Sequence, residues 1–143
     1  MKISFFEQCK LPTTTAQQKR HSKGFAYDTT QIKYARALFQ AIFEKHKPGK
    51  PLDGALVLKL ELHYPHTIKT AKEATKYGCA RIPKTTAPDW DNIPKIPCDA
   101  MFKAGFVAND ARIFDGQCKK WHCDIEGVDV LIYTYDYKKG ETL

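Results

Sequence analysis

From residue 54 to residue 64 apolar and polar side chains alternate, with Leu56, Leu58, Leu60, Leu62 and Tyr64 on one parity and Val57, Lys59, Glu61 and His63 on the other. Successive side chains of a strand point to opposite faces, so this stretch predicts a strand with one face on the core, ended by Pro65. Upstream the period changes. Ile32, Ala35, Phe39 and Ile42 recur at three- and four-residue spacing while Lys33, Arg36 and Glu44 fall elsewhere, which predicts an amphipathic helix capped by Asp28 or Thr29 and stopped before Pro48-Gly49. Lys2 to Phe6 reads as a short strand, and Pro12 to Gly24 as a long polar loop. Ile68 to Gly78 reads as a short basic helix closed by its glycine, and residues 79–88 as an extended loop. A further helix is expected from about Asn92 to Ala104, with Gly105 at its end; Pro94 suits a first turn, but Pro97 would lose a hydrogen bond in a helix interior, so this helix starts late or kinks. Ile113 to Cys123 and Val128 to Tyr137, the latter rich in Val, Ile and Tyr, read as two strands joined near residues 124–127. The order predicts an α+β fold: a single domain over residues 1–143, with a small, mainly antiparallel or mixed sheet covered by helices on one face.

The composition, 43% hydrophobic and 27% charged in 143 residues, is that of an ordinary globular domain. With no apolar run near the length of a bilayer span and no signal-peptide stretch at the start, the expected location is the cytoplasm, without a membrane partner. Five cysteines without a CxxC pair suit a reducing compartment; Cys118, His122 and Cys123 fall short of the two close ligand pairs of a structural zinc site. His63 and His66 flank Pro65 and are expected at a strand edge rather than as ligands.

Charge changes the picture more. The net charge of +7 arises in the first fifty residues, which hold ten Lys/Arg against Glu7, Asp28 and Glu44; the other ninety-three residues hold thirteen of each sign. Such asymmetry suits a polyanion, since each phosphate neutralised by Lys or Arg releases counterions. In the polar loop Gln17, Lys19, Arg20 and Lys23 are expected DNA contacts, because their donors suit phosphate and sugar oxygens. Lys69, Lys72, Lys76, Arg81 and Lys84 form a second basic run, opposed by Glu73 alone, that leads into Asp89 and is expected to follow a phosphate backbone.

That run ends at PDWDNIPKIPCDAMFKAGFVANDAR, residues 88–112. Asp89 and Asp91 are one residue apart, Lys95 follows four residues after Asp91, and Asp110 lies where the chain turns back into a strand. Mg²⁺ prefers oxygen ligands and is typically held by one or two carboxylates plus substrate phosphate oxygens. The three acids fit that demand, and a nearby lysine offsets charge that develops on phosphorus or on the leaving oxygen. These parts describe a metal-dependent phosphodiesterase. The competing structural reading makes Asp91 or Asn92 a helix cap, Asp110 a loop residue, and Lys95–Asp99 a surface pair.

The spacing PDWDN-(x2)-K-(x3)-DA-(x3)-AGF-(x3)-DA resembles the central signature of the RusA-type Holliday junction resolvases, densest from Lys84 to Ile113 with a weaker echo in Pro12 to Lys19. The resemblance implies a dimeric, Mg²⁺-dependent endonuclease, with Mn²⁺ as an alternative ion, encoded by a phage or prophage. It also implies Asp89, Asp91 and Asp110 as metal ligands, Lys95 as the catalytic lysine, and Asp99 as a family acid that orients the lysine. Asn109, Arg112, Pro94 and Pro97 depart from the family pattern without removing a residue that the chemistry needs. The expected substrate is branched DNA, above all four-way junctions, cut by a homodimer, since resolution takes two symmetric nicks and a C2 dimer supplies two sites. The alternative from another class is a non-catalytic basic nucleic-acid-binding module, whose binding would be indifferent to metal.

Overall fold

The computed structural model describes residues 1–16, 20–22 and 24–140, and the side chain of Arg20 stands outside that description. The alternating stretch forms β4 (Leu56–Pro65), the middle of a five-stranded sheet completed by β1 (Lys2–Gln8), β5 (Ile82–Pro83), β6 (Ile113–Cys123) and β7 (Gly127–Thr134), in the order β1-β7-β4-β6-β5. The β1/β7, β7/β4 and β6/β5 pairs run antiparallel and β4/β6 runs parallel, which makes the expected α+β sheet a mixed one. Although β6 and β7 are consecutive in the chain, β4 lies between them.

Two strand ends differ from expectation for local reasons. β7 begins one residue early, at Gly127, where any Cβ would collide with the Glu7 carbonyl and the Phe6 ring of β1. It stops at Thr134 rather than Tyr137, because Thr134 pairs with Leu56, the first residue of β4, and Tyr133 with Lys2, the first of β1. The end of the stretch expected as a loop, Pro12 to Gly24, instead carries β2 (Arg20–Ser22), which forms a small hairpin with β3 (Phe25–Tyr27) just beyond it.

Helix α1 (Thr30–His46) takes Thr29 as its cap, the hydroxyl oxygen accepting from the Ile32 amide at 3.3 Å. Ile32, Ala35, Phe39, Ile42 and Phe43 are buried along it. Helix α2 (Ile68–Tyr77) opens with a reciprocal Thr67–Thr70 cap and closes at Gly78, whose φ of 64° is the left-handed conformation that glycine adopts at low cost. Among its residues only Thr70 is buried, so α2 rides on the domain and adds little to the core. Helix α3 (Lys95–Lys103) begins three residues later than expected. Starting at Lys95 puts Pro97 in the first turn, where the missing N–H has no intrahelical partner to lose.

α1 and α3 lie against the Leu58, Leu60 and Leu62 face of β4 and the Val128, Val130 and Ile132 face of β7. Phe43 and Phe106 meet edge to face at 5.3 Å between centroids. Each fully buried Leu or Phe contributes roughly 1.5–3 kcal/mol relative to exposure. The opposite face of the sheet carries Lys59, Glu61 and His63 on β4, Gln117, Lys119 and Trp121 on β6, and Asp129 and Leu131 on β7. No helix is long and apolar enough to cross a membrane among the described residues.

Candidate active site

Strand β6 organises the acidic motif from its start and from its middle. The turn that carries Asp89 and Asp91 is closed by the Asp89 carbonyl, which accepts from the Asn92 and Ile93 amides at 3.1 and 3.0 Å. Ile93 is buried beneath this turn, and the Trp90 indole N–H donates to the Cys118 carbonyl of β6 at 2.6 Å. The Lys120 ammonium, also on β6, donates to the Thr86 and Pro88 carbonyls at 2.8 and 2.6 Å and so ties down the approach to Asp89. The chain enters β6 through a single 3₁₀ turn, Asp110–Arg112, capped by the Asn109 side chain on the Ala111 amide at 2.9 Å.

These contacts leave the acids without a capping role. The N-cap of α3 is Pro94, with no side-chain cap, so Asp91 does not cap that helix; Asn109 caps the 3₁₀ turn, so Asp110 does not. Asp89, Asp91 and Asp110 are exposed, and among the described residues their carboxylates have no hydrogen-bond or ion-pair partner. Trp90 and Asp110 line one cavity of about 450 Å³, whose apolar walls include Leu58, Leu60, Cys98 and Phe102. Burial pushes the Cys98 thiol up to about 12 and the Cys118 thiol up to about 11, so both stay protonated near neutral pH and act as small apolar wall groups. The three carboxylates are nevertheless not drawn to within 4.8 Å of one another. Three exposed hard-oxygen donors suit Mg²⁺ in kind, an ion that keeps several waters and takes further oxygens from substrate phosphate.

Lys95 is the first residue of α3, exposed, with its ammonium 3.7 Å from Asp99 one turn on. Asp91 belongs to the preceding turn and not, as its four-residue spacing from Lys95 suggests, to the same helix. Asp99 is shared: the Arg36 guanidinium of α1 stands 3.9 Å from it while donating to Asp28 at 2.8 Å. Charged groups thus follow one another from Lys95 through Asp99 and Arg36 to Asp28. Arg112 is drawn away to Asp53 at 3.1 Å.

The sequence profile of the family described as Endodeoxyribonuclease RusA matches residues 11–133. The chain belongs to the RusA family of endodeoxyribonucleases. It is 29% identical over 136 residues to a crossover junction endodeoxyribonuclease of Lactococcus phage r1t, an alignment covering 92% of this chain and 98% of that relative. The family match spans the DWD turn, α3 and Asp110, so the motif resemblance extends to nearly the whole fold.

The basic residues expected to meet DNA fall into three groups in this RusA-family chain. Gln17, Lys19 and Lys23 lie outside the described residues, as does the side chain of Arg20 in β2. Lys69, Lys72 and Lys76 are carried along α2, which packs little of itself against the core. Arg81 and Lys84 make internal contacts: Arg81 covers the Trp121 ring at 4.4 Å and stands 3.4 Å from Glu61, while Lys84 donates to Thr86 at 2.8 Å and lies 5.1 Å from the Tyr64 ring. Burial and the neighbouring Lys120 push the Lys84 ammonium down from its ordinary value.

One cluster escaped the reading of the sequence. His63 was expected at a strand edge, yet β4 is central, and Glu61, His63 and Asp129 each offer a ligand atom within 4.8 Å of the others, a set that can hold a metal ion. The parity of Glu61 and His63 was visible in the alternation, but Asp129 is 66 residues further along the chain than His63 and joins them only through the β4/β7 register. His66 and His122 are occupied elsewhere, His66 with Thr70 and Asp124 and His122 with the Pro65 carbonyl.

Proposed function

We propose that this single domain, residues 1–143, is a Mg²⁺-dependent resolvase that cuts four-way DNA junctions by paired symmetric nicks as a homodimer. The observation that carries the reading is that Trp90, between Asp89 and Asp91 and tied to the middle of β6, lines one cavity with Asp110, which precedes the start of that strand, within a chain of the RusA family. Asp89, Asp91 and Asp110 would hold the ion, with Mn²⁺ able to replace it. When bound, the ion supplies Lewis-acid polarisation of a phosphoryl oxygen and lowers the pKa of a coordinated water. Lys95, projecting from the first turn of α3, offsets negative charge as it grows on the phosphoryl group, and Asp99 keeps the ammonium near that position without ligating the ion. The lysines of α2 follow the phosphate backbone, and the polar loop around Gln17, Lys19, Arg20 and Lys23 grips the flanking strand.

Two symmetric cuts need two sites, which a C2 dimer supplies. A phage relative and a DNA substrate fit work in the cytoplasm of a bacterial host. The decisive experiment compares nicking of a labelled mobile four-way junction with that of linear duplex, in Mg²⁺ and in EDTA. Nicks paired across the junction, only with metal and in preference to duplex, are the expected result. Binding without nicking under any metal condition would overturn the reading.

A further inference from the structure

On the helix-free face of the sheet, Glu61 and Asp129 stand directly opposite each other in the antiparallel β4/β7 register, and His63 follows Glu61 on the same side of β4. Like charges directly opposite across a strand pair are destabilising. Within the fold that repulsion is only partly relieved. Arg81 reaches Glu61 at 3.4 Å, but among the described residues Asp129 has no ion pair, and its carboxyl is pushed up from the ordinary value by burial first and by Glu61 second. Burial pushes His63 below its ordinary value against the pull of Asp129 and Glu61, and its Nε2 is buried without a hydrogen-bond partner.

We propose that Glu61, His63 and Asp129 form a second divalent-cation site of the transition-metal class, Zn²⁺ in the first instance, bound by one imidazole nitrogen and two carboxylate oxygens. A neutral imidazole selects Zn²⁺ and its neighbours in the first transition row over Mg²⁺, whereas the all-carboxylate set Asp89, Asp91 and Asp110 favours Mg²⁺. Zinc bonds to nitrogen and oxygen are about 2.0–2.2 Å long, which puts tetrahedral donors roughly 3.5 Å apart. Donors already within 4.8 Å reach that spacing by side-chain adjustment on two rigid, adjacent strands. The carboxylate of Glu61 is oriented in advance: Oε1 accepts from the Trp121 indole N–H at 2.9 Å and faces Arg81, which leaves Oε2 for the ion. A donor fixed in this way is the outer support that metal ligands commonly have. Three protein ligands leave a fourth position for water. Bound there, the cation replaces a cross-strand repulsion by a cross-strand tie in the middle of the sheet, on the face opposite α1 and α3.

The test is isothermal titration of the full-length protein with ZnCl₂ in a saturating background of MgCl₂, which occupies hard-oxygen sites. Wild type should take up one Zn²⁺ per chain, and its unfolding temperature should rise with Zn²⁺. His63→Gln and Asp129→Asn should each weaken that uptake by a factor of at least about 10, since a missing ligand costs no less than a missing outer-shell support. Asp91→Asn should leave it unchanged, which separates this site from the proposed active site. In case either variant folds poorly, the wild-type histidine ring nitrogens are followed by long-range ¹H–¹⁵N NMR, where the His63 Nε2 signal should move on addition of Zn²⁺. No saturable uptake tighter than about 100 μM, an unmoved His63 signal, or uptake abolished by Asp91→Asn alone would each overturn the proposal.

Discussion

On one side of β4, Leu58, Leu60 and Leu62 are buried beneath α1 and α3, and the acids of the DWD turn and Asp110 stand exposed at the rim of that packed layer. On the other side, Glu61 and His63 stay within the strand and meet Asp129 across the register. The rim acids are exposed, apart from one another, and held through the Trp90 and Lys120 side chains, which bond main-chain carbonyls between β6 and the DWD turn. The strand cluster is half-buried and close together, its groups shifted by burial first and by their own charges second. The two clusters therefore differ in how far their donors are gathered by the fold itself. A hard ion that arrives with water and substrate phosphate can gather separated carboxylates at modest cost, whereas an imidazole–carboxylate site needs its ligands placed beforehand. β4 separates the two because its alternate residues face opposite sides of the sheet, the leucines toward α1 and α3 and Glu61 and His63 away from them.

The comparison breaks most decisively at Asp91. Asp91→Asn should lower single-turnover junction cleavage at least ~10³-fold, because a bound divalent ion contributes several kcal/mol of transition-state stabilisation. Junction affinity in Ca²⁺ should be unchanged or slightly higher, as one repulsive charge has gone. Cleavage near the wild-type rate would remove Asp91 from the metal site.

Lys95→Ala should cost a factor on the order of 10²–10³ in the same single-turnover assay while affinity by gel shift changes far less. Lys95→Arg should recover only part of the rate, since a planar guanidinium does not replace a compact ammonium. Equal losses of rate and affinity would make Lys95 a backbone contact instead.

Stability sharpens the contrast between the two faces. Leu62→Ala, in the helix-covered core, should destabilise by about 2–5 kcal/mol in chemical denaturation. Leu131→Ala, on the bare face, should cost less than about 1 kcal/mol. A comparable cost at Leu131 would show that this face is covered in solution, for example by the second protomer.

Replacing Lys69, Lys72 and Lys76 together by Ala should flatten the slope of log affinity against log salt, on junction and duplex alike, by up to about one for each phosphate that these lysines neutralise. An unchanged slope would place α2 away from DNA. The smallest effect is a pH dependence on the covered side, where hydrogen bonds first from His46 and then from Lys45 hold the Glu7 carboxyl below its ordinary value. Glu7 therefore binds fewer protons folded than unfolded, and its contribution is present above its unfolded value of 4.5 and fades as pH falls through the lowered one. Glu7→Gln should lower the unfolding temperature slightly near neutral pH, and the difference should close on acidification; a constant difference would assign the loss to packing.

Much of this protein was legible before the fold was known because the signals are local. The alternation of residues 54–64, the three- and four-residue spacing from Ile32 to Ile42, the Thr29 cap, the Gly78 stop and the limits of β6 each depend on a few neighbours in the chain. The motif acids and Lys95 were legible as residue types at a spacing, and the prolines correctly announced a late helix. Tertiary structure alone decided that β4 sits at the centre between β6 and β7, since strand order depends on which edges meet and not on any single strand's pattern. It decided that Asn109 rather than the acids does the capping, that β6 holds the DWD turn through Trp90 and Lys120, and that Arg36 shares Asp99 with Lys95. Glu61, His63 and Asp129 meet for the same reason. A side chain's parity is written in its own strand, but its neighbour across the sheet is set by register, and register is a property of the whole packed core.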